Sequence, residues 1–156
     1  MHLSIFSINT IPTDGASTYF SNLHYAYERL PASKKEQLRT LTSDFGKRYK
    51  PHPIIWEHPI TATPVLHISE GFKNGFIKAD SGDRISKDEA EAIHQFLNDH
   101  MWETDTYYEH SWQQGDLIIA DNYAVAHFAK PNYSNTLRVL HRTATKGERR
   151  KRDLNK

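Results

Sequence analysis

Apolar and polar residues come to alternate along HLSIFSI (2–8), the two-residue period of a half-buried strand. PTDGAST (12–18) is a cluster of turn formers. The period then changes. Leu23, Ala26, Tyr27 and Leu30 share one face of a short helix over 21–30, with Ser21 as its expected N-cap and Pro31 as its stop. Ser33 followed by Glu36 predicts a capping box opening a second helix, with Leu38, Leu41 and Phe45 on one side. GKRYKPHP (46–53) reads as a loop, and 53–76 as extended segments broken by prolines. After a turn at 79–83, Ser86 and Glu89 predict another capping box. The helix behind it runs to about His100, with Ala90, Ile93, Phe96, Leu97 and Met101 at helical spacing.

The C-terminal third returns to strands. TYYEHSW (106–112) is strand-like and QQGD (113–116) is a hairpin-type turn. LIIADNYAVAHFA (117–129) is a pair of strands broken at Asp121–Asn122, and LRVLHRTAT (137–145) is the last strand. Strands at both ends with helices inserted predict a mainly β fold, a sandwich or barrel carrying helices on one side. There is no internal repeat, no domain-dividing linker, and 156 residues fit one domain.

Composition narrows the function classes. Lys plus Arg (20) nearly balances Asp plus Glu (19), which disfavours a protein held mainly by nucleic-acid phosphates. The basic tail KGERRKR is interrupted by Glu148 and followed by Asp153, and reads as a solvated end. Cysteine is absent, which removes disulfides, thiolate metal sites and cysteine nucleophiles. No run approaches the ~20 apolar residues of a membrane span, and no signal peptide is recognisable, so a soluble, cytoplasmic protein is expected. Histidines number ten, yet none stands in an HExxH zinc spacing.

The chemistry concentrates near the C-terminus. His127 ends an apolar run, as a core histidine or a ligand would. Arg138 and Arg142 fall on one face of the last strand by two-residue alternation. Two inward cations are costly unless an anion meets them: a carboxylate ligand, or a buried acid such as Asp116 or Asp121. A solvent-facing strand is the plainer alternative. Trp56, His67, Phe72 and Phe76 could line a pocket or simply pack.

W-QQ-GD-LIIA-DN-YAVAH followed by R-VLHRTAT resembles the C-terminal signature of the taurine dioxygenase family of non-haem Fe(II)/2-oxoglutarate-dependent oxygenases. Upstream, PTDGAST-YF-SNLHYAYERL and HP-ITATPVLHISEGF resemble the family's Gly-Asp-Thr and His-Pro/Glu-Gly-Phe segments. The resemblance implies a double-stranded β-helix (jelly roll) over 1–147, followed by a charged tail over 148–156. It implies Fe(II) and 2-oxoglutarate as cofactors and a small-molecule substrate, oxidised while the oxoacid is decarboxylated to succinate. By position, His127 matches an iron ligand. Arg142 matches the arginine gripping the far carboxylate of 2-oxoglutarate, Arg138 a second arginine beside it, and Thr18 the threonine that touches the same co-substrate. Asp121–Asn122 matches a turn shaping the strand before the ligand.

The family's remaining ligands lie in a His-x-Asp or His-x-Glu motif. None of the ten histidines is followed two residues on by Asp or Glu. The chain therefore reads as a partial jelly roll lacking its N-terminal strands: a fragment, a half completed by a partner chain, or a non-catalytic carboxylate-binding or interaction module of the same descent. Uncovered sheet edges predict a protein partner or self-association. Neither a nucleic acid nor a membrane is expected as partner.

Overall fold

The computed structural model of the chain describes residues 3–12, 16–44, 51–67, 75–103, 105–130 and 136–145. The charged tail, Phe45 and Phe72 lie outside them. Along the chain come β1 (Leu3–Thr10), β2 (Ser17–Asn22), α1 (Leu23–Arg29), α2 (Ala32–Arg39), β3 (Leu41–Ser43), β4 (His52–Pro53) and β5 (Ile55–Glu57). Then follow β6 (Pro64–Leu66), β7 (Phe76–Lys78), α3 (Lys87–Met101), β8 (Tyr107–Ser111), β9 (Leu117–Asp121), β10 (Val125–Ala129) and β11 (Val139–Ala144). The chain divides into two compact units, Met1–Ser21 with Tyr107–Lys156, and Asn22–Thr106.

The first unit holds two sheets of three strands, ordered β11-β1-β9 and β10-β2-β8. Strand β1 pairs antiparallel on both sides, with Phe6 opposite Arg142 and Ile118, and Ser4 opposite Ala144 and Ala120. Cross-strand partners share a face, so Arg142 lies on the same face as the buried Ser4, Phe6 and Ile8 and the half-buried Leu140, Ile118 and Ala120, but is itself exposed. In the other sheet, Thr18 and Phe20 are buried and Tyr19 points outward, where its ring stacks on Phe128 at 4.9 Å. Phe6, Ile8, Ala16, Phe20 and Trp112 join residues of both sheets in one apolar cluster, flanked by Val125 and Leu140. The Phe6 and Phe20 rings meet edge to face at 5.7 Å. The mainly β, jelly-roll reading therefore holds.

The tight turn before β9 follows from Gly115, whose φ of +93° a side chain would resist, and from the Asp116 N–H donating to the Gln113 carbonyl at 3.1 Å.

The second unit carries the helices and the short sheets β4-β3-β7 and β5-β6 around Leu38, Leu41, Ile54, Val65, Leu66, Phe76, Ile93 and Leu97. Phe76 is thus core. Helix α3 starts as its sequence predicts, the Ser86 hydroxyl accepting from the Glu89 N–H at 3.2 Å. The other two helices start differently. Ser21 is still in strand β2 and fully buried, so the cap passes to Asn22, which accepts from the His24 and Tyr25 N–H groups. Ser33 caps nothing. Pro31 occupies the N-cap of α2, its carbonyl accepting from Lys34 and Lys35, and Ser33 is already inside the helix. The expected loop at 52–53 includes the short β4, and the expected turn through Thr18 has become strand β2.

Candidate functional site

Strand alternation aims the candidate residues at one interior. In β10, Val125 packs on the core and Phe128 faces outward, so His127 points inward. Its ring lies edge-on to Phe6 at 4.8 Å and tilted against Phe20 at 6.2 Å. Across the cluster, the Arg142 guanidinium carbon sits 5.8 Å from the centroid of the same Phe6 ring. Burial lowers the pKa of His127 below the ordinary histidine range, and the positive charge of Arg142 pushes it the same way. The imidazole is therefore neutral at pH 7, the form that offers a lone pair to a metal.

Each guanidinium has its own neighbours. Arg142 donates to the Ser4 hydroxyl at 3.0 Å and, at 3.4 Å, to the Asn122 side-chain oxygen. Ser4 donates in turn to that same oxygen at 2.9 Å. Arg138 donates to Thr18 Oγ1 at 3.0 Å. Its burial disfavours the charged form, but a guanidinium keeps its proton in any protein.

The two half-buried acids expected near this pair have other partners. Asp116 accepts from His110 Nε2 at 3.0 Å and from the Gln113 N–H at 2.7 Å. Asp121 accepts from the Tyr123 N–H at 2.9 Å. Among the described residues, the hydrogen-bond partners of both arginines are neutral oxygens. Two neighbouring guanidiniums with no carboxylate partner among the described residues have the donor set that an anion would match.

The resemblance implies that Thr18 and Arg142 touch the same co-substrate, with Arg138 beside them. In the structure the arginine that meets the threonine hydroxyl is Arg138. Three further residues complete the site. Ser4 and Asn122 hold Arg142, and Trp112 donates its indole N–H to Thr18 Oγ1 at 2.9 Å. Asn122 was visible only as part of a turn, and Trp112 only as a letter of the motif. No sequence pattern announces Ser4, whose role depends on β1 lying beside β11.

Among the described residues, His127 is the candidate metal ligand that lies beside this cluster. Among the described residues no group of three or more His, Cys, Asp and Glu is arranged to hold a metal ion. A lone imidazole lacks the ligand count that Fe(II) needs, so these residues alone do not fit the metal.

A sequence model described as the taurine catabolism dioxygenase TauD, TfdA family matches residues 2–144. An alkylsulfatase of Acinetobacter baylyi is 27% identical, over 94% of this chain and 52% of its own length. An alpha-ketoglutarate-dependent 2,4-dichlorophenoxyacetate dioxygenase of a Burkholderia species is also 27% identical, over 94% of this chain and 54% of its own. The chain thus spans about half the length of these curated relatives. The crystal structure of a taurine dioxygenase from Burkholderia xenovorans superposes with a TM-score of 0.76 at 28% identity, covering 90% of this chain and 52% of that one. No described helix is long and apolar enough to cross a membrane.

Proposed function

This chain belongs to the taurine catabolism dioxygenase TauD, TfdA family, and from that premise we propose that its first unit carries the anion-binding side of an Fe(II)/2-oxoglutarate-dependent dioxygenase site. The observation that carries the reading is the half-buried Arg138, just before β11, and the more exposed Arg142 within it, whose described hydrogen-bond partners are all neutral oxygens.

Arg138 and Thr18 hold the remote carboxylate of 2-oxoglutarate. Guanidinium and hydroxyl converge there, and a planar fork fixes a carboxylate in one orientation. Arg142, supported by Ser4 and Asn122, holds a second anionic group, that of the substrate. The names of the relatives point to such substrates, since 2,4-dichlorophenoxyacetate and taurine each carry an acidic head group. His127, neutral and facing the same interior, is the iron ligand this chain contributes. Fe(II) would supply the oxidation chemistry. The described residues do not complete its coordination, so the roles assigned here are binding and orientation.

The test is binding first and turnover second. Succinate formed from 2-oxoglutarate, dependent on Fe(II) and abolished by His127→Ala, supports the dioxygenase. A second reading, a carboxylate-binding module without chemistry, is favoured by the single imidazole. Binding of 2-oxoglutarate with no succinate formed, in a preparation in which Fe(II) is shown to be bound, would establish it. A chain that binds no dicarboxylate sinks both. A protein partner or self-association belongs to the same proposal, supported by the exposed Leu117 and Ile119 on β9 at one edge of its sheet.

A further inference from the structure

We propose that Trp112 is a positioning residue for the co-substrate: its indole N–H turns the Thr18 hydroxyl into a fixed donor aimed at the carboxylate beside Arg138. The inference rests on the assignment of Arg138 and Thr18 to that carboxylate and adds the group that sets its geometry.

Thr18 Oγ1 receives two hydrogen bonds, from Trp112 Nε1 at 2.9 Å and from Arg138 at 3.0 Å. An indole N–H and a guanidinium can only donate, and a hydroxyl has two lone pairs and one hydrogen. Both lone pairs are therefore taken, and the hydrogen can serve neither neighbour. Thr18 is only 3% exposed, so bulk water does not take it either. Among the described residues nothing accepts the hydroxyl hydrogen, which stands next to a guanidinium with further N–H groups. An oxygen that accepts from both satisfies them at once, and a carboxylate oxygen does so most strongly because it also offsets the guanidinium charge.

Without the indole, the hydroxyl could rotate, donate elsewhere and present a lone pair to the anion. Trp112 prevents this because it is itself locked. Its backbone N–H donates to the Ala16 carbonyl at 2.9 Å, and its ring, 4% exposed, belongs to the Phe6–Phe20 cluster. The His110 ring packs edge-on against it at 4.6 Å and is anchored by Asp116 at 3.0 Å and the Tyr108 hydroxyl at 3.2 Å. The chain from Asp116 to Thr18 is thus a support for one proton.

The experiment is titration of the 156-residue chain with millimolar 2-oxoglutarate by calorimetry. It compares the wild type with Trp112→Phe, Thr18→Val, Thr18→Ser, and the double variant Trp112→Phe with Thr18→Val. The expectation is about fivefold weaker binding for Trp112→Phe, about tenfold for Thr18→Val and near-wild-type binding for Thr18→Ser. The double variant should bind like Thr18→Val alone, because Trp112 has nothing left to act through. Losses that multiply, to about fiftyfold, would overturn the inference and make Trp112 a packing residue. Because Trp112→Phe also opens a gap in the core, the near-isosteric Thr18→Val supplies a second readout. The Trp112 indole N–H resonance should move and exchange faster with solvent, and an unchanged signal overturns the proposal. Equal binding by the wild type and Trp112→Phe removes only the role of Trp112. A wild type that binds no 2-oxoglutarate removes the carboxylate assignment on which it rests.

Discussion

His127 and Arg142 stand on strands of different sheets and meet on one ring, that of Phe6, 4.8 Å from the imidazole centroid and 5.8 Å from the guanidinium carbon. The cation beside it and its own burial both disfavour the protonated imidazole. Burial is the larger cause. Replacing Arg142 by Gln should therefore raise the His127 pKa only part of the way back to the ordinary range, read by NMR titration of the ring carbons. A full return to the ordinary value would show that charge, not desolvation, sets it.

The same shift fixes a sign for stability. The folded His127 pKa is lower than the unfolded one, so between the two values the unfolded chain binds more protons. The contribution of His127 to stability is complete above the unfolded value, ~6.5. It is lost as pH falls through that value towards the folded one. Urea unfolding at a series of pH values below neutrality should show this loss, and His127→Phe should flatten it. A variant as acid-sensitive as the wild type would place the cause in another group.

Arg138 and Arg142 should separate by function. A lysine keeps the charge but loses the planar fork that binds a carboxylate through two nitrogens. Arg138→Lys should weaken 2-oxoglutarate binding about tenfold or more, while Arg142→Lys should change it by less than about threefold. The reverse order, read by calorimetry, would return the co-substrate to Arg142, where the resemblance alone had put it.

Much of this site was legible as strand alternation and motif spacing. Residue parity places Arg142 on the face of Leu140, and the apolar run before His127 announces its strand. Residues that act across strands were not legible. Whether Thr18 meets Arg138 or Arg142 depends on how β2 sits against β11, and local sequence does not encode that. Helix starts failed for a related reason. Ser21 and Asn22 are both good caps, and burial of Ser21 in β2 decides between them. Where no strand competes, at Ser86, the local signal suffices.

Alternation also exposes apolar side chains on the outer face of β9. Leu117 is 60% and Ile119 59% exposed, on a strand at the edge of its sheet. Such an edge pairs or aggregates unless it is covered. The chain should self-associate with rising concentration in sedimentation experiments. The double substitution Leu117→Lys with Ile119→Lys should shift it toward monomer with a change in stability within about 0.5 kcal/mol, because these side chains leave little water behind on folding. Unaltered association would move the contact to another surface.

Metal supplies the last expectation. A ligand that binds only the folded state stabilises it by RT ln(1 + [L]/Kd), so a real iron site reports itself in the melting temperature. The described residues offer His127 without companions. An imidazole alone holds a divalent ion so weakly that 0.1 mM metal would add only ~0.1 kcal/mol or less. Anaerobic Fe(II), or Mn(II) in its place, should therefore leave the melting temperature of this chain within about 1 °C of its value in EDTA, with or without 2-oxoglutarate. A rise of several degrees that vanishes in His127→Ala would mean that a complete ligand set forms around this imidazole. That result would carry the dioxygenase reading over the binding-module reading.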